Sequence, residues 1–390
     1  MTHPVVVDMF CGSGGESQGI AWAAEKAGVQ IEAYAINHWQ RAIETHQANF
    51  PDAEHICRDV ADINPSDLLP GRKVALLWGS PECTQHSPAR GGKPCNDQKR
   101  VTPFTILDWL NKLCVDRLII ENVKEFRSWG PLDPETKRPD PERKGEIFNA
   151  YIAMIRGLGY VVDYRDLNAA DYGAPTTRKR IFIQAVREGS GKSILWPEPT
   201  HARPGPNRVL VGVFQPWIPA RDIINWNLPS KSIFSRSRPL AENTMARIRE
   251  GLARYGGSEF LVCMEHGGRV VSADVPVPTI TTAKGGAIGL AQPFLVEYYG
   301  NGQPRPVSAP LPTVTTRDRF ALVEPQHNGI DIRFRMLTPA ELAAAQSFPG
   351  DYVFTGNQIE VVKQIGNAVC PKMAEALTAV YMQELAGAEA

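Results

Sequence analysis

Over roughly its first 190 residues the chain alternates two hydrophobic periods, and this restricts its fold more than any other feature. The short apolar runs PVVVDMF, IEAYAIN, VALLWGS, RLIIENV, YVVDYRDL and RIFIQAV read as strands. Between the first of them lie two helical stretches. Glu16 to Ala27 puts Ile20, Ala23, Ala24 and Ala27 on one face and stops at Gly28, and Gln40 to Asn49 forms the second. A helix between two strands carries the chain back to the end where it started, so successive strands run the same way. The expectation is an α/β fold built on a doubly wound, mostly parallel sheet. Ligands in such sheets bind at the carboxyl ends of the strands, and the chemically unusual residues here follow strands directly.

Composition narrows the class. The 390 residues carry 42 basic and 42 acidic side chains, which argues against a uniformly basic coat for nucleic acid and against an acidic tail. With 43% hydrophobic residues the chain can bury a full core. No apolar run approaches the ~20 residues of a membrane span, and MTHPVVVDMF lacks the pattern of a secretory leader. Seven cysteines, at 11, 57, 83, 95, 114, 263 and 370, form no CxxC pair. The expectation is a reduced, cytoplasmic protein without disulfide framework or metal site, in which one cysteine is free to be a nucleophile.

Three regions are expected: 1–195, 196–330 and a return to the first domain over 331–390. Pro88 to Val101 is a polar loop with four basic residues and one acid, and Trp129 to Gly145 reads as a surface excursion. From Trp196 the chain becomes proline-rich and β-like. It also repeats itself there: Phe260-Leu-Val, a Gly-Gly and PVPTITT return 34 residues later as Phe294-Leu-Val, an Asn-Gly and PLPTVTT. A duplicated hairpin is the expected structure. Beyond Glu324, Thr338 is a candidate N-cap for Pro339 to Gln346, and Pro371 opens a last helix.

Five segments could carry chemistry. Asp8-Met-Phe-Cys-Gly-Ser-Gly-Gly joins strand to helix through a glycine turn, where backbone can approach a ligand closely. A plain tight turn is the alternative. Cys83 lies in SPECTQHS, directly after a strand and among side chains too polar for a core cysteine. Glu121-Asn-Val ends the apolar strand RLII. Thr177-Arg178-Lys179-Arg180 precedes IFIQAV, with both arginines on one side of the strand. Gly366-Asn367-Ala368-Val369 sits between two helical stretches.

In this order, the segments closely resemble the motifs of the C5-cytosine DNA methyltransferase family: the glycine turn, SPECTQHS, IIENV, TTRKR, RMLTPAELAAAQSFP and QIGNAVCP. The match covers residues 4–187 and 333–386, with the family's variable target-recognition domain between them. The chain departs from the family at Asn37 (usually glutamate), Glu82, Thr84, His86 and Thr176 (usually glutamine).

The resemblance implies a DNA (cytosine-5)-methyltransferase using S-adenosylmethionine, acting on a cytosine flipped out of double-stranded DNA. Cys83 would add to C6 as thiolate, Glu121 would hold N3 and the exocyclic amine, Arg180 would hold O2, and Arg178 would support the site. Phe10, Gly12, Gly14, Asn37, Trp39, Asp59 and Asn367 would line the cofactor site. A monomer is expected, with a cognate restriction endonuclease as a possible companion. An RNA-directed or modified-sulfonium transferase on the same frame, and a catalytically dead DNA binder, are the alternatives. From Arg203 to Arg254 nine basic residues face three acidic ones, a net of +6, suited to phosphate contacts. Ser87, Arg90, Lys284, Arg317 and Arg319 are the expected DNA contacts.

Overall fold

The computed structural model describes residues 3–81, 101–203, 213–234, 236–255, 258–264, 268–282, 287–295, 305–306 and 330–389. Its first sheet contains β1 (Val5–Met9), β2 (Glu32–Asn37), β3 (Glu54–Cys57), β4 (Lys73–Gly79), β5 (Cys114–Asn122), β6 (Tyr160–Asn168) and β7 (Lys179–Arg187). The strand order is β3-β2-β1-β4-β5-β7-β6. β7 alone runs against its neighbours β5 and β6. The chain moves outward from β1 in one direction and from β4 in the other, so the point where the topology reverses lies between these two strands.

Helices cover both faces: α1 (Gly15–Ala27), α2 (Gln40–Asn49), the short α3 (Pro65–Leu68), α4 (Phe104–Lys112) and α5 (Glu146–Gly157). Alternation along β1 separates the two layers. Val5, Val7 and Met9 join the core with α4 and α5, whereas Val6 joins the core with α1. The expected strands and the first two helices are all present. Gly28 ends α1 in the left-handed conformation, φ 68°.

β8 (His201–Ala202) and β9 (Gln215–Pro216) form a short pair of their own. The second sheet is antiparallel, in the order β10-β15-β13-β11-β12 with β14 beside β13. Its strands are β10 (Lys231–Ser232), β11 (Phe260–Cys263), β12 (Arg269–Ser272), β13 (Ile288–Leu295), β14 (Arg305–Pro306) and β15 (Ile330–Met336). α6 (Glu242–Tyr255) packs on one face through Ile248, against Phe260, Val262 and Phe334. α7 (Pro339–Ala345) and α8 (Gln358–Asn367) pack on the other, where Leu342, Val362 and Ile365 meet Leu261, Ile288 and Leu290. The last helix, α9 (Pro371–Glu389), returns to the first sheet and lies along α1.

The repeat is structural, with one difference from the expected hairpin. Phe260 and Leu261 pair with Ser272 and Val271, and Phe294 and Leu295 pair with Pro306 and Arg305, each contact shifted by 34 positions. The partner strand of the first copy is therefore Arg269–Ser272, not PVPTITT. The prolines at 276 and 278 withhold two ladder donors, and this segment instead bridges to Thr176 through Val277. A second difference is α6, a fourteen-residue helix within the region expected to be β-like. Its apolar residues Met245, Ile248, Leu252 and Tyr255 follow helical spacing. Trp129, at the start of the expected surface excursion, is buried against Phe126 and Tyr151.

At its start α7 carries the expected cap: Glu341 N donates to Thr338 Oγ1 at 3.3 Å and Thr338 N donates to Glu341 Oε2 at 2.7 Å. No described helix is long and apolar enough to cross a membrane.

Candidate functional site

One edge of the first sheet gathers four of the segments singled out above: the glycine turn, Glu121-Asn-Val, the Arg178–Arg180 stretch and Gly366. Met9 of β1 pairs with Gly79 of β4, and Gly79 with Ile120 of β5, so the three strands end level. Because β7 is antiparallel, its beginning reaches this same edge, with Glu121 opposite Phe182 and Asn122 opposite Ile181. That reversal brings the arginines at the start of a strand to the acid at the end of another. Arg180 Nε lies 3.0 Å from Glu121 Oε1, with both side chains largely buried. Arg178, 4% exposed, donates from Nη1 to Gly366 O at 3.0 Å. Asn122 Nδ2 donates to Pro81 O at 3.3 Å, which tethers the chain leaving β4 beside the same pair.

A small pocket adjoins these groups, lined by Glu121, Arg178, Arg180, Phe182 and Cys370 among others. Cys370 donates to Gln346 Oε1 at 2.7 Å, and burial pushes its thiol up to about 11. It is therefore a neutral thiol near pH 7 and a poor nucleophile.

The glycine turn occupies the neighbouring position, after β1. Phe10, Gly12 and Gly14 all have positive φ, at 66°, 52° and 87°. Phe10 is the costly one, because left-handed backbone is unfavourable for a residue with a Cβ. At Gly14 a Cβ would stand 2.7 Å from Tyr352 Oη and 2.8 Å from a ring carbon of Phe50. At Gly12 it would meet only Phe10 O, at 3.9 Å, so the turn is open on that side. Ser13 Oγ is buried there with no hydrogen-bond partner among the described residues. An open backbone cradle with an unsatisfied hydroxyl fits a polar ligand.

Two buried carboxylates flank this turn. Neither had a role in the sequence reading. Burial pushes Asp8 up to about 7 and, together with the Asp8 charge, raises Glu16 as well. Ser17 Oγ donates to Asp8 Oδ2 at 2.5 Å, His46 Nε2 lies 2.9 Å from Ser17 Oγ, and His55 Nε2 lies 2.9 Å from His46 Nδ1. Burial pushes His46 down to about 3, so it is neutral. The donor order that suits all three bonds is His55 to His46, His46 to Ser17, and Ser17 to Asp8. The available signal was an acid in the first turn of a helix that follows a glycine turn, where the helix dipole favours it.

The remaining expected cofactor residues lie along the adjoining strand ends. Asn37 ends β2 and accepts from Trp39 N at 2.9 Å. Trp39 begins α2, with Lys363 Nζ 4.4 Å from its ring centre. Asp59 is exposed and caps the turn after β3 by accepting from Ala61 N at 3.0 Å. Asn367 is the exposed last residue of α8. The last helix completes the region from the far end of the chain. A Cβ on Gly15 would stand 2.2 Å from Val369 O, and one on Gly19 would stand 2.4 Å from Pro371 O.

Cys83, Ser87, Arg90, Lys284, Arg317 and Arg319 lie outside the described residues, as do Glu82, Thr84 and His86. Of the basic residues between 203 and 254, Arg221 pairs with Asp274 at 2.5 Å, Arg249 pairs with Glu242, and Arg236 donates to Phe334 O at 2.6 Å. Part of the +6 is thus engaged within the fold, while Arg203, Lys231 and Arg238 are exposed.

Comparison with known proteins identifies the family. Residues 5–383 match the family described as C-5 cytosine-specific DNA methylase. The chain belongs to this family. Type II methyltransferase M1.HphI of Haemophilus parahaemolyticus is 27% identical over 385 residues, covering 97% of this chain and 86% of that protein. Type II methyltransferase M.SacI of Streptomyces achromogenes is 26% identical over 417 residues, covering 99% and 94%. Among solved structures, DNMT2 of Spodoptera frugiperda superposes with a TM-score of 0.58 at 16% identity, covering 97% of this chain and 99% of that one. At that identity the likeness concerns the fold, here a mostly parallel sheet with a separate antiparallel sheet.

Proposed function

We propose that this DNA cytosine-5 methyltransferase transfers a methyl group to C5 of a flipped-out cytosine through a covalent adduct between Cys83 and C6. The observation that carries the reading is the buried Glu121–Arg180 pair, 3.0 Å apart at the edge where Pro81 leads into the Cys83 segment. Cytosine C5 is a weak nucleophile until a thiolate adds at C6 and makes it enamine-like; after the methyl group has joined C5, a base takes the C5 proton and the C6–S bond breaks, releasing the Cys83 thiolate. Addition places negative charge on the ring. Glu121, as proton donor at N3, and Arg180, at O2, would neutralise it in a site shielded from water. Arg178 would hold this arrangement through Gly366. The Cys370 thiol, neutral and bonded to Gln346, does not compete with Cys83 as nucleophile.

The open cradle at Gly12 and the unsatisfied Ser13 hydroxyl fit S-adenosylmethionine. Phe10, Gly12 and Gly14 would hold it, with Asn37 and Trp39 toward ribose and adenine, Asp59 toward the adenine amine and Asn367 beside the transfer site. Bound there, it supplies an electrophilic methyl group. Target reading falls to the second-sheet domain within 196–330; of the expected catalytic return 331–390, β15, α7 and α8 pack with that sheet and α9 rejoins the first. Phosphate contacts would come from the exposed basic residues of 196–330, and base contacts from Lys284, Arg317 and Arg319. Ser87 and Arg90 would touch DNA from the loop beyond the nucleophile. We extend the reading to a monomeric cytoplasmic enzyme in a type II setting, with a restriction endonuclease cutting the unmethylated site.

Bisulfite sequencing of DNA from cells expressing the protein tests this. The expected result is protection of cytosines within one short sequence, lost with Cys83→Ser. Protection that persists at full level in Cys83→Ser refutes the nucleophile. Labelling of transfer RNA but not duplex DNA by purified protein refutes the substrate.

A further inference from the structure

Arg178 is fixed from two sides, and both sides touch one stretch of the second-sheet domain. On the first side the chain enters β7 through Pro175-Thr176-Thr177. Val277 N donates to Pro175 O at 2.8 Å and Thr177 N donates to Val277 O at 2.9 Å. Thr176 is fully buried, and its hydroxyl donates to Pro278 O at 3.3 Å. On the second side, Gly366 supplies the carbonyl that accepts from Arg178. Gly366 is pressed against Thr281: a Cβ on it would stand 2.7 Å from both the carbonyl carbon and oxygen of Thr281. Residues 277–281 therefore span the two supports of Arg178.

This stretch is packed into the second-sheet domain. Val277 and Ile280 are buried in one core with Leu261 of β11 and Leu290 of β13. In sequence it leads within three residues to Lys284, one of the proposed base contacts. Interiors packed this tightly transmit displacement instead of absorbing it. A shift of the second sheet would reach the Arg178 side chain through Gly366 and its backbone through Thr176.

We propose that residues 277–281 form a strut that couples target reading by the second-sheet domain to the placement of Arg178, with Thr176 as the positioning residue where the strut meets the catalytic body. The proposal rests on the reading of Arg178 as part of the cytosine site. Thr176 stands where the family resemblance leads one to expect glutamine. Its short side chain ends at the Pro278 carbonyl, so its contact is with the strut.

Thr176→Val tests the strut, because it keeps the side-chain shape and the backbone bridge and removes only the hydroxyl. The readout is the single-turnover rate constant for methyl transfer on a duplex bearing the recognised site, against a duplex with one substitution in that site. Such rate constants do not depend on the fraction of protein folded. Loss of one hydrogen bond should slow the recognised duplex about fivefold and the substituted duplex much less, so the ratio between them falls about fivefold. Duplex and cofactor affinities should stay unchanged, and Thr176→Ser should restore the ratio. A ratio that is unchanged in Thr176→Val overturns the coupling, even if both rates fall together. Absence of transfer by the unsubstituted protein overturns instead the functional reading beneath it.

Discussion

The buried carboxylate at the end of β1 makes a direct prediction about stability and pH. Asp8 is 3% exposed, and burial lifts its pKa from the ordinary 3.8 to about 7. An acid whose pKa is raised by folding binds a proton more tightly in the native state. Its stabilising contribution is complete below the unfolded value and is lost as pH rises toward the folded one. A rise of about three units corresponds to ~4 kcal/mol between pH 4 and 7. The perturbation is Asp8→Asn, which is nearly isosteric and can still accept from Ser17 through its amide oxygen. It cannot ionise, so it escapes the cost. The assay is urea denaturation of both proteins from pH 5 to 8.5. The variant should gain on the wild type by ~1.4 kcal/mol per pH unit up to about pH 7 and then hold a constant lead. A stability difference that does not change with pH would refute the argument that burial, and not geometry, dominates at Asp8.

The packing of α1 on α9 gives a second test. Gly19→Ala would set a methyl 2.4 Å from Pro371 O and 2.5 Å from Ala374 Cβ, and should cost ~1–3 kcal/mol by urea denaturation. Gly157→Ala at the end of α5 meets nothing within 4 Å and should instead stabilise by ~0.5–1 kcal/mol. Arg178→Lys keeps the charge and loses the guanidinium geometry that reaches Gly366 O. The single-turnover rate should fall roughly tenfold or more with cofactor binding unchanged, and an unaltered rate would remove Arg178 from the site.

The sequence was a good guide wherever its signal is local. Strand and helix periods, the Gly28 stop and the Thr338 cap depend on neighbouring residues, and they stand where the sequence puts them. Where a longer-range condition decides, the sequence misled or was silent. PVPTITT has the look of a strand, but its prolines and the pull of Thr176 keep it out of the ladder. α6 carries a legible apolar spacing, yet it was hidden inside a stretch judged by its prolines. Asp8 and Glu16 look like ordinary acids near a turn; only their burial in the folded chain gives them shifted protonation.

By itself, then, the sequence determined the class of fold, the chemistry-bearing residue types and their order along the chain. Periodicity and motif spacing are properties of the chain alone. The tertiary structure decided which of these residues meet. The reversed direction of β7 puts Arg180 against Glu121, a pairing 59 positions apart that no local pattern encodes. The return of the chain at Val369 and Pro371 leaves no room for a side chain at Gly15 and Gly19. Placement of residues 277–281 between Thr176 and Gly366 ties the second sheet to Arg178. Each of these follows from packing between segments distant in sequence, where the energy lies in contacts that exist only once the chain has closed on itself.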